Sequence, residues 1–419
     1  MSDKRILILT SDAGFGHRSA ANAIEAALIE AGDPALFVNI INPLLHDNAP
    51  KLLRDSQDDY DYIVREAPQV YQLGYTTTDQ AVPAKIMDSA LILMLYEVLR
   101  DALNQYDPDA IITTHPIFQA PLAALFRLNG RRVPLITVVT DLISVHRIWF
   151  NNAVDALVAP TDEVRQLALR AGIDAQHIHV LGIPVNPALG KTPSDKAALR
   201  RQLGWDEDLI TIFAVGSKRV PGLITMLRGL NHSALPIQLI ISAGNDAELQ
   251  HQAQNTEWHV PATIYNYVTN MPDMLHASDV LVCKAGGLIT TEALACGLPL
   301  ALVDVIPGQE QGNAQYVVNN GAGVVADDPT ELLEHIFHWL QDDCVTLKQC
   351  AERARRLGKP NAASDVAQLA LHAADETARA RQTSTKWAEH SAADSSLNEL
   401  RQMLRRFGIA SASTPQRYS

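Results

Sequence analysis

The chain has 419 residues, of which 47% are hydrophobic, 19% are charged and only 5% are aromatic. This apolar content is typical of a folded protein of two or three domains, and it excludes a fully disordered or fibrous chain. The formal net charge of -13 argues against a general nucleic-acid binder, because the neutralisation of phosphates requires a basic face.

The sequence indicates neither a membrane span nor a secretory signal. The longest uninterrupted apolar run, residues 90–96, has seven residues, whereas a spanning helix needs roughly 20. The apolar residues 6–9 are too few for a signal-peptide core and predict a first strand. The four cysteines form no Cys-x-x-Cys pair, so neither a disulfide framework nor a zinc site is indicated. We therefore expect a cytoplasmic location and no metal site.

Short apolar runs alternate with helix-length segments along most of the chain. Runs that are continuous rather than alternating are typical of strands buried on both faces of a parallel sheet. The predicted strands are residues 5–10, 36–41, 110–114, 135–140 and 156–159 in the first half, and 209–215, 237–242, 263–267, 280–284 and 300–304 in the second. This repetition predicts doubly wound α/β architecture, and the number of strands favours two sheets over one.

The predicted domain boundary lies near residues 182–187, where two prolines and a glycine end the preceding unit. The expected organisation is an N-terminal domain over 1–186, a linker over 187–205, a C-terminal domain over 206–376, and a partly helical or disordered tail over 377–419. The expected fold is two Rossmann-like domains that face a central cleft.

A long helical excursion, residues 42–106, separates the second and third predicted strands. Its most apolar part, residues 86–99, is apolar nearly all round, which is more typical of a buried helix than of a membrane-facing one. The acidic residues Asp58, Asp59 and Asp61 lie inside this excursion and are interpreted as a solvated face. No Asp-x-Asp motif ends a predicted strand.

The first strand runs into a glycine turn, Gly14-Phe15-Gly16, and His17 then stands at the start of an alanine-rich helix. Glycines let the backbone turn sharply and let a ligand approach a helix N-terminus. A dinucleotide site is rejected because Ser19 replaces the third glycine and no acidic residue ends the second strand. His17 is therefore either an exposed cap residue or a base that takes a proton from an alcohol.

Two further glycine turns follow predicted strands of the second half. Gly216 and Ser217 can donate backbone N–H groups to phosphate, and Gly286 and Gly287 open a helix whose N-terminus suits a pyrophosphate. Glu292 lies about a turn and a half into that helix, where it either reaches a ribose diol or lies on the surface.

A loop beyond another predicted strand holds amide and carboxylate groups, namely Gln309, Glu310 and Asn313. Several hydrogen-bonding side chains with few charges suit the hydroxyl groups of a sugar, and they suit a solvated loop equally well.

The order of these motifs resembles that of monogalactosyldiacylglycerol synthases and of the bacterial processive diacylglycerol glucosyltransferases. More distantly it resembles the enzyme that adds N-acetylglucosamine to lipid I. The motifs are residues 7–17, 114–119, 139–142 with Trp149 and Phe150, 182–185, and 284–287 to 308–310. The likeness covers about residues 4–370, and residues 284–313 are its most specific part. It implies a GT-B fold, with a nucleotide-sugar donor on the second domain and an acceptor lipid held mainly by the first.

The resemblance also implies roles for individual residues. His17 matches a glycine-loop histidine proposed as general base, and Asp12 and Asp141 are reserve candidates for the base or for orienting His17, with loop capping as the alternative. The implied acceptor-binding residues are Gly14, Phe15, Gly16, His115 and Trp149. The implied donor-binding residues are Gly216, Ser217, Val268, Lys284, Gly286, Gly287, Glu292, Gln309, Glu310 and Asn313. Val268 falls where a backbone group contacts the uracil edge, and a single Gly216 stands where the family's phosphate loop is often richer in glycine.

The implied activity is metal-independent, inverting transfer of a hexose from a UDP-sugar to diacylglycerol, with the UDP-sugar as co-substrate and no cofactor. Thr114, His115, Pro116 and Gln119 favour galactose over glucose. The alternatives are a diacylglycerol glucosyltransferase, a lipid-linked N-acetylglucosaminyltransferase, an epimerase of the same fold, and a non-catalytic nucleotide-sugar-binding module. The implied location is peripheral, on the inner face of the cell membrane.

The tail offers one candidate for membrane contact. Residues 379–419 hold seven Lys or Arg and three Asp or Glu, in a chain whose net charge is -13. Its apolar residues fall near one helical face: Leu397, Leu400, Met403, Leu404 and Phe407. A basic amphipathic helix of this kind either lies in an anionic headgroup layer or docks on the first domain.

Overall fold

The computed structural model describes the following residues: 3–12, 15–47, 49–50, 54, 81–191, 193, 195–218, 220–306 and 310–380. These residues form two compact units. The first unit consists of the described residues of Met1–Val139, Val145–Val180 and Val366–Ser419, and the second of those in Thr140–Ser144 and Leu181–Asp365.

The first unit is built on a parallel six-stranded sheet in the order β2-β1-β3-β4-β5-β6. Its strands are β1 Lys4–Leu9, β2 Leu36–Ile41, β3 Ala110–Thr113, β4 Leu135–Val138, β5 Ala156–Ala159 and β6 Ile178–Val180. Its helices include α1 Phe15–Glu30, α2 Ala81–Tyr106, α3 Gln119–Asn129 and α4 Asp162–Arg170.

The second unit has its own parallel six-stranded sheet, in the order β12-β11-β10-β7-β8-β9. Its strands are β7 Ile210–Val215, β8 Ile237–Ser242, β9 Ala262–Tyr265, β10 Val280–Cys283, β11 Leu300–Leu302 and β12 Gly323–Val325. Its helices are α5 Lys196–Leu203, α6 Leu223–Asn231, α7 Ala247–Asn255, α8 Met271–Ala277, α9 Gly287–Cys296, α10 Gln311–Asn319 and α11 Pro329–Leu357, the last interrupted by non-helical backbone at residues 341–344.

The last described helix, α12 Ala362–Ala380, groups with the first unit from Val366 onward. The ion pair of Lys4 Nζ with Asp375 Oδ1, at 2.8 Å, attaches it to the start of β1. The division therefore differs from the expected one, in which the second domain extended to residue 376.

The described residues of the segment expected to be a linker, 187–205, also group with the second unit. Within it, α5 carries the buried Arg200, which donates to the Ala277 carbonyl and forms an ion pair with Asp279. These bonds of a buried guanidinium attach α5 to the rest of the second unit.

Burial on both faces of the sheet explains the continuous apolar runs. In β7, Ile212 and Ala214 pack into one core of the second unit, whereas Phe213 packs into the core on the opposite face. In the first unit, Leu95 and Leu99 on α2 pack beside Phe118 and Trp149. The prediction that the apolar helix is buried is thus confirmed over its described side chains.

Each of the ten predicted strands is present, with ends that differ by at most two residues. Two further strands, β6 and β12, escaped prediction because each has only three residues and lies at the edge of its sheet. None of the helices that the structure describes has the length and apolarity needed to cross a bilayer.

Each sheet has one adjacent pair of strands at which the strand order reverses, β1 with β3 in the first unit and β7 with β10 in the second. Loops that leave the carboxyl ends of such a pair form the usual ligand crevice of a doubly wound sheet. In the first unit these loops lead to His17 and Thr114, and in the second they carry Ser217 and Gly286.

Candidate active site

The crevice of the first unit is organised around His17, in the first turn of α1. His17 Nδ1 lies 2.7 Å from the carbonyl oxygen of Thr114, which follows β3. Because a carbonyl oxygen can only accept, Nδ1 carries the hydrogen and Nε2 holds the lone pair. The Thr114 hydroxyl in turn donates to the His17 carbonyl at 3.0 Å. One threonine thus fixes both the tautomer and the orientation of the imidazole.

Two of the predicted acceptor-binding residues surround His17. The ring centroid of His115 lies 4.5 Å from that of His17 in an edge-to-face arrangement, and the Trp149 ring lies 6.1 Å away. Trp149 is 1% exposed, and Gln119 Nε2 donates to its carbonyl oxygen at 3.2 Å. The His17 imidazole therefore packs beside the buried Trp149 ring, and the backbone of Trp149 is itself held by the hydrogen bond from Gln119.

This environment keeps both histidines neutral. Burial lowers the pKa of His17 to about 4, and burial together with the neighbouring His17 lowers the pKa of His115. At neutral pH the His17 imidazole is therefore uncharged and can accept a proton on Nε2.

Asp12, a reserve candidate for the base, has another partner. Its carboxylate accepts from Arg18 Nε and from Asn42 Nδ2, both at 2.7 Å, and the Arg18 guanidinium lowers the pKa of Asp12. Both oxygens of this carboxylate are thus already engaged, and Thr114 rather than Asp12 orients His17. The geometry thus favours His17 over Asp12.

The glycine turn before His17 lies partly outside the described residues. Gly14 and the side chain of Phe15 are not described, so their predicted acceptor contacts stay predictions. Gly16 is described, and a Cβ built on it would have no neighbour within 4 Å.

The crevice of the second unit contains the start of α9. Gly286, the N-cap residue, has no side chain that could cap the helix. A Cβ built at Gly286 would lie 3.3 Å from Lys284 Nζ, which places the ammonium at the helix start. The unpaired N–H groups of a helix N-terminus and an ammonium together favour an anion such as a diphosphate.

Lys284 is held by Glu310, the residue before α10. The two side chains form an ion pair and are 18% and 6% exposed. Glu310 also accepts from the Ile306 N–H at 3.4 Å. Two residues predicted to bind different parts of a donor are therefore paired with each other, which the sequence did not indicate.

Glu292 lies half-buried further along α9. Burial raises its pKa to about 7, and among the described residues it has no hydrogen-bond or ion-pair partner. A carboxyl group that is desolvated without a partner is costly to the fold, so it marks a candidate ligand contact.

Asn313 has a structural contact that limits its predicted role. Its Nδ2 donates at 2.9 Å to the Ala285 carbonyl and is buried. The amide nitrogen therefore fixes the turn between β10 and α9, and its predicted contact with a sugar would have to use the oxygen. Gln309 lies outside the described residues.

The turn after β7 also differs from its predicted use. The N–H of Gly216 donates to the Ser242 carbonyl at 2.8 Å, and a Cβ at this position would lie 2.2 Å from Leu249 Cδ2. Packing thus favours glycine here, and its N–H is already bonded to the end of β8. Among the described residues of this turn, Ser217 and the exposed Lys218 are the remaining candidates for a phosphate contact.

Two other predicted residues lie elsewhere in the second unit. Val268 is half-buried beyond β9, next to Tyr267, whose side chain is 63% exposed. Asp141 lies in Thr140–Ser144, the segment that groups with the second unit. A Cβ built at Gly287 would lie 3.2 Å from the Thr140 carbonyl oxygen, so this segment packs at the start of α9.

The described part of the chain has no group of three or more His, Cys, Asp or Glu side chains able to hold a metal ion. Metal independence itself stays a prediction.

Two doubly wound units, each with its candidate groups at the switch point of the sheet, define a protein of the GT-B class. A family model described as glycosyl transferases group 1 matches residues 195–357, and one described as monogalactosyldiacylglycerol (MGDG) synthase matches residues 17–185. MurG of Acinetobacter baumannii has a similar fold, with a TM-score of 0.57 at 16% identity, covering 88% of this chain and 99% of that one.

Similar sequences show which family of GT-B proteins includes this chain. Monogalactosyldiacylglycerol synthase 3, chloroplastic, of Arabidopsis thaliana is 33% identical over 387 residues, which are 90% of this chain and 83% of the relative. A probable chloroplastic monogalactosyldiacylglycerol synthase of Glycine max is 33% identical over 370 residues, 86% of this chain and 69% of the relative. The chain belongs to the monogalactosyldiacylglycerol synthase family. It is a glycosyltransferase that makes a glycolipid, which confirms the fold class and the enzyme class expected from the motifs.

Proposed function

We propose that the protein transfers galactose from UDP-galactose to the free hydroxyl of diacylglycerol, with inversion at the anomeric carbon. The observation that carries the proposal is the His17 imidazole, which is neutral and has its tautomer fixed by Thr114. Direct displacement of a diphosphate by an alcohol requires a group that removes the hydroxyl proton, and a neutral imidazole can do so.

The bonds balance in a single step. The acceptor oxygen forms a bond to the anomeric carbon while His17 Nε2 takes the hydroxyl proton, and the bond between that carbon and the diphosphate oxygen breaks. UDP leaves with the electron pair of that bond. The start of α9 and the Lys284 ammonium stabilise the charge that develops on the diphosphate.

The names of the relatives support galactose and diacylglycerol, since they are monogalactosyldiacylglycerol synthases. Galactose is also favoured over glucose by the motif residues Thr114, His115, Pro116 and Gln119. The remaining candidate is glucose, because the motifs also resemble those of diacylglycerol glucosyltransferases.

Product analysis tests the proposal. The purified protein is incubated with diacylglycerol vesicles and radiolabelled UDP-galactose, UDP-glucose or UDP-N-acetylglucosamine, and the lipid extract is separated by chromatography. We expect label in a monohexosyl lipid from UDP-galactose. Preferential incorporation from UDP-glucose would reassign the donor, and label in no lipid would contradict the proposed reaction.

We further propose that the protein works at the inner surface of the cell membrane, because diacylglycerol resides in a bilayer. Support comes from the composition of residues 379–419, with seven Lys or Arg against three Asp or Glu. Co-sedimentation of the full chain and of a chain lacking residues 390–419 with anionic and neutral vesicles tests this proposal. We expect the truncation to lose binding to anionic vesicles, whereas undiminished binding by a folded truncation would assign membrane contact to another segment.

A further inference from the structure

The segment that follows β4, Thr140–Ser144, groups with the second unit although the residues on both sides of it group with the first. We call this segment the strap. Thr140 and Leu142 are buried in it, and Asp141 is half-buried. Two glycines of the second unit show which of its residues the strap contacts.

The first glycine is Gly287, at the start of α9. A Cβ built there would lie 3.2 Å from the Thr140 carbonyl oxygen and 3.8 Å from the Leu142 nitrogen. The strap backbone thus lies against the helix whose N-terminus is the proposed diphosphate site, and only a residue without a side chain lets it pack there undisturbed.

The second glycine is Gly312, in the first turn of α10. A Cβ built there would lie 2.2 Å from Ser144 Oγ and 3.5 Å from Ile143 Cγ2. The strap therefore contacts the starts of both helices that carry the candidate donor-binding residues, through its backbone at Gly287 and through the Ser144 side chain at Gly312.

These contacts place Asp141 between two anchored neighbours, directly after the carbonyl that packs on Gly287. A carboxylate near a diphosphate would repel it, whereas a carboxylate is a strong acceptor for the hydroxyl groups of a sugar. The chemistry that suits this position is thus hydrogen bonding to the hexose.

We propose that the strap is part of the donor site, that Gly287 and Gly312 hold it in place, and that Asp141 binds hydroxyl groups of the donor hexose. The proposal rests on the proposed UDP-hexose donor. It replaces the role expected from the sequence, in which Asp141 is the base or orients His17, with a role in binding the donor sugar.

The role of Asp141 is tested by calorimetric titration without any acceptor. UDP and UDP-galactose are each titrated into the wild type, Asp141→Asn and Asp141→Ala. We expect both variants to bind UDP-galactose roughly tenfold or more weakly. Their affinity for UDP should be unchanged or higher, because a negative charge is removed. Equal weakening of both ligands, or no weakening of either, would overturn the assignment.

The anchoring of the strap is tested with one substitution that introduces a steric clash with Ser144 and a second that removes the clashing Ser144 hydroxyl. Gly312→Ala should weaken UDP-galactose binding more than UDP binding and should speed amide hydrogen exchange in the peptide that spans the strap. In the double variant Gly312→Ala with Ser144→Ala, the nearest remaining strap atom is Ser144 Cβ, at 3.4 Å, so both readouts should return toward those of Ser144→Ala alone.

A matched control is Gly190→Ala, whose added Cβ would meet nothing closer than 3.4 Å. A Gly312→Ala protein that behaves like this control in both readouts, or a double variant no better than the single one, would overturn the anchoring. Failure of the wild type to bind any UDP-hexose would contradict the proposed donor as well. If the wild type binds UDP-galactose and every variant binds it with the same affinity, the role of the strap is overturned and the proposed donor is not.

Discussion

Each of the two crevices holds a buried titratable residue, and burial shifts the pKa values of these two residues in opposite directions. In the first unit, burial lowers the pKa of His17 to about 4, and in the second unit burial raises the pKa of Glu292 to about 7. The physical cause is shared, since a poorly solvated group favours its neutral form, which is the deprotonated form of an imidazole and the protonated form of a carboxyl.

The two groups differ in what their surroundings supply. His17 is held by Thr114 and packs against His115 and Trp149. Glu292 has no hydrogen-bond or ion-pair partner among the described residues. The proposed base therefore has its orientation fixed by the protein itself, whereas Glu292 of the proposed donor crevice lacks hydrogen bonds that a ligand would supply.

The largest expected effect comes from removing the proposed base, His17. His17→Ala should lower kcat by about two to four orders of magnitude, because no other group at that position takes the hydroxyl proton. UDP affinity should stay unchanged, since the proposed nucleotide site is in the other unit. Steady-state kinetics and calorimetry check this, with the exposed His372→Ala as the matched control.

A His17→Ala protein with near-normal kcat would remove this residue from the mechanism. A variant that lost UDP affinity as well would contradict the assignment of the two steps to two units.

Removing the unpartnered carboxyl should have the next largest effect. If Glu292 holds ribose hydroxyl groups, Glu292→Ala should weaken UDP binding by about 1.5–3 kcal/mol, the usual range for hydrogen bonds to a charged group. Calorimetry with UDP measures this directly, with the exposed Glu334→Ala as control. A dissociation constant equal to that of the control would make Glu292 a structural residue.

The pH dependence of stability should also distinguish Glu292. The pKa of Glu292 is raised from 4.5 to about 7 on folding, so the folded state binds its proton more tightly than the unfolded state does. This contribution to stability is fully present below about pH 4.5. It is lost as the pH rises through 7. Relative to Glu292→Gln, the wild type should lose up to about 3 kcal/mol between roughly pH 5 and pH 8. Chemical unfolding of both proteins at the two pH values measures the difference, and parallel pH profiles would show that Glu292 titrates normally.

The smallest expected effect concerns divalent metal. We propose that Lys284 and the start of α9 stabilise the departing diphosphate, so excess EDTA should leave turnover unchanged. Assays in EDTA, with and without added magnesium or manganese, check this. A loss of activity that added metal restores would contradict metal independence.

The sequence predicted those parts of the fold that depend on local pattern. Strands such as β2 and β8 were predicted to the residue, because continuous apolar runs bounded by polar turns are typical of buried parallel strands. The edge strands β6 and β12 are too short to give such a run. The affiliation of α12 with the first unit depends on a contact between Lys4 and Asp375, which are far apart in sequence.

The site was predictable as far as residue type and local spacing allow. His17, Glu292 and the glycines of α9 stand out beside predicted helix starts. The partners were not predictable, because the Thr114 carbonyl that fixes the His17 tautomer is a backbone group. The pairing of Lys284 with Glu310 likewise arises only when two separate strand ends meet. The sequence did not indicate the strap, because its contacts with Gly287 and Gly312 join parts of the chain that are far apart in sequence.

The configuration of the product tests the central claim most directly. UDP-galactose carries its sugar as the α-anomer, and direct attack by a hydroxyl whose proton goes to His17 inverts that carbon. We predict a β-linked galactosyl diacylglycerol, identified by proton NMR of the lipid made from UDP-galactose and diacylglycerol. An α-linked product would contradict single displacement with His17 as the base.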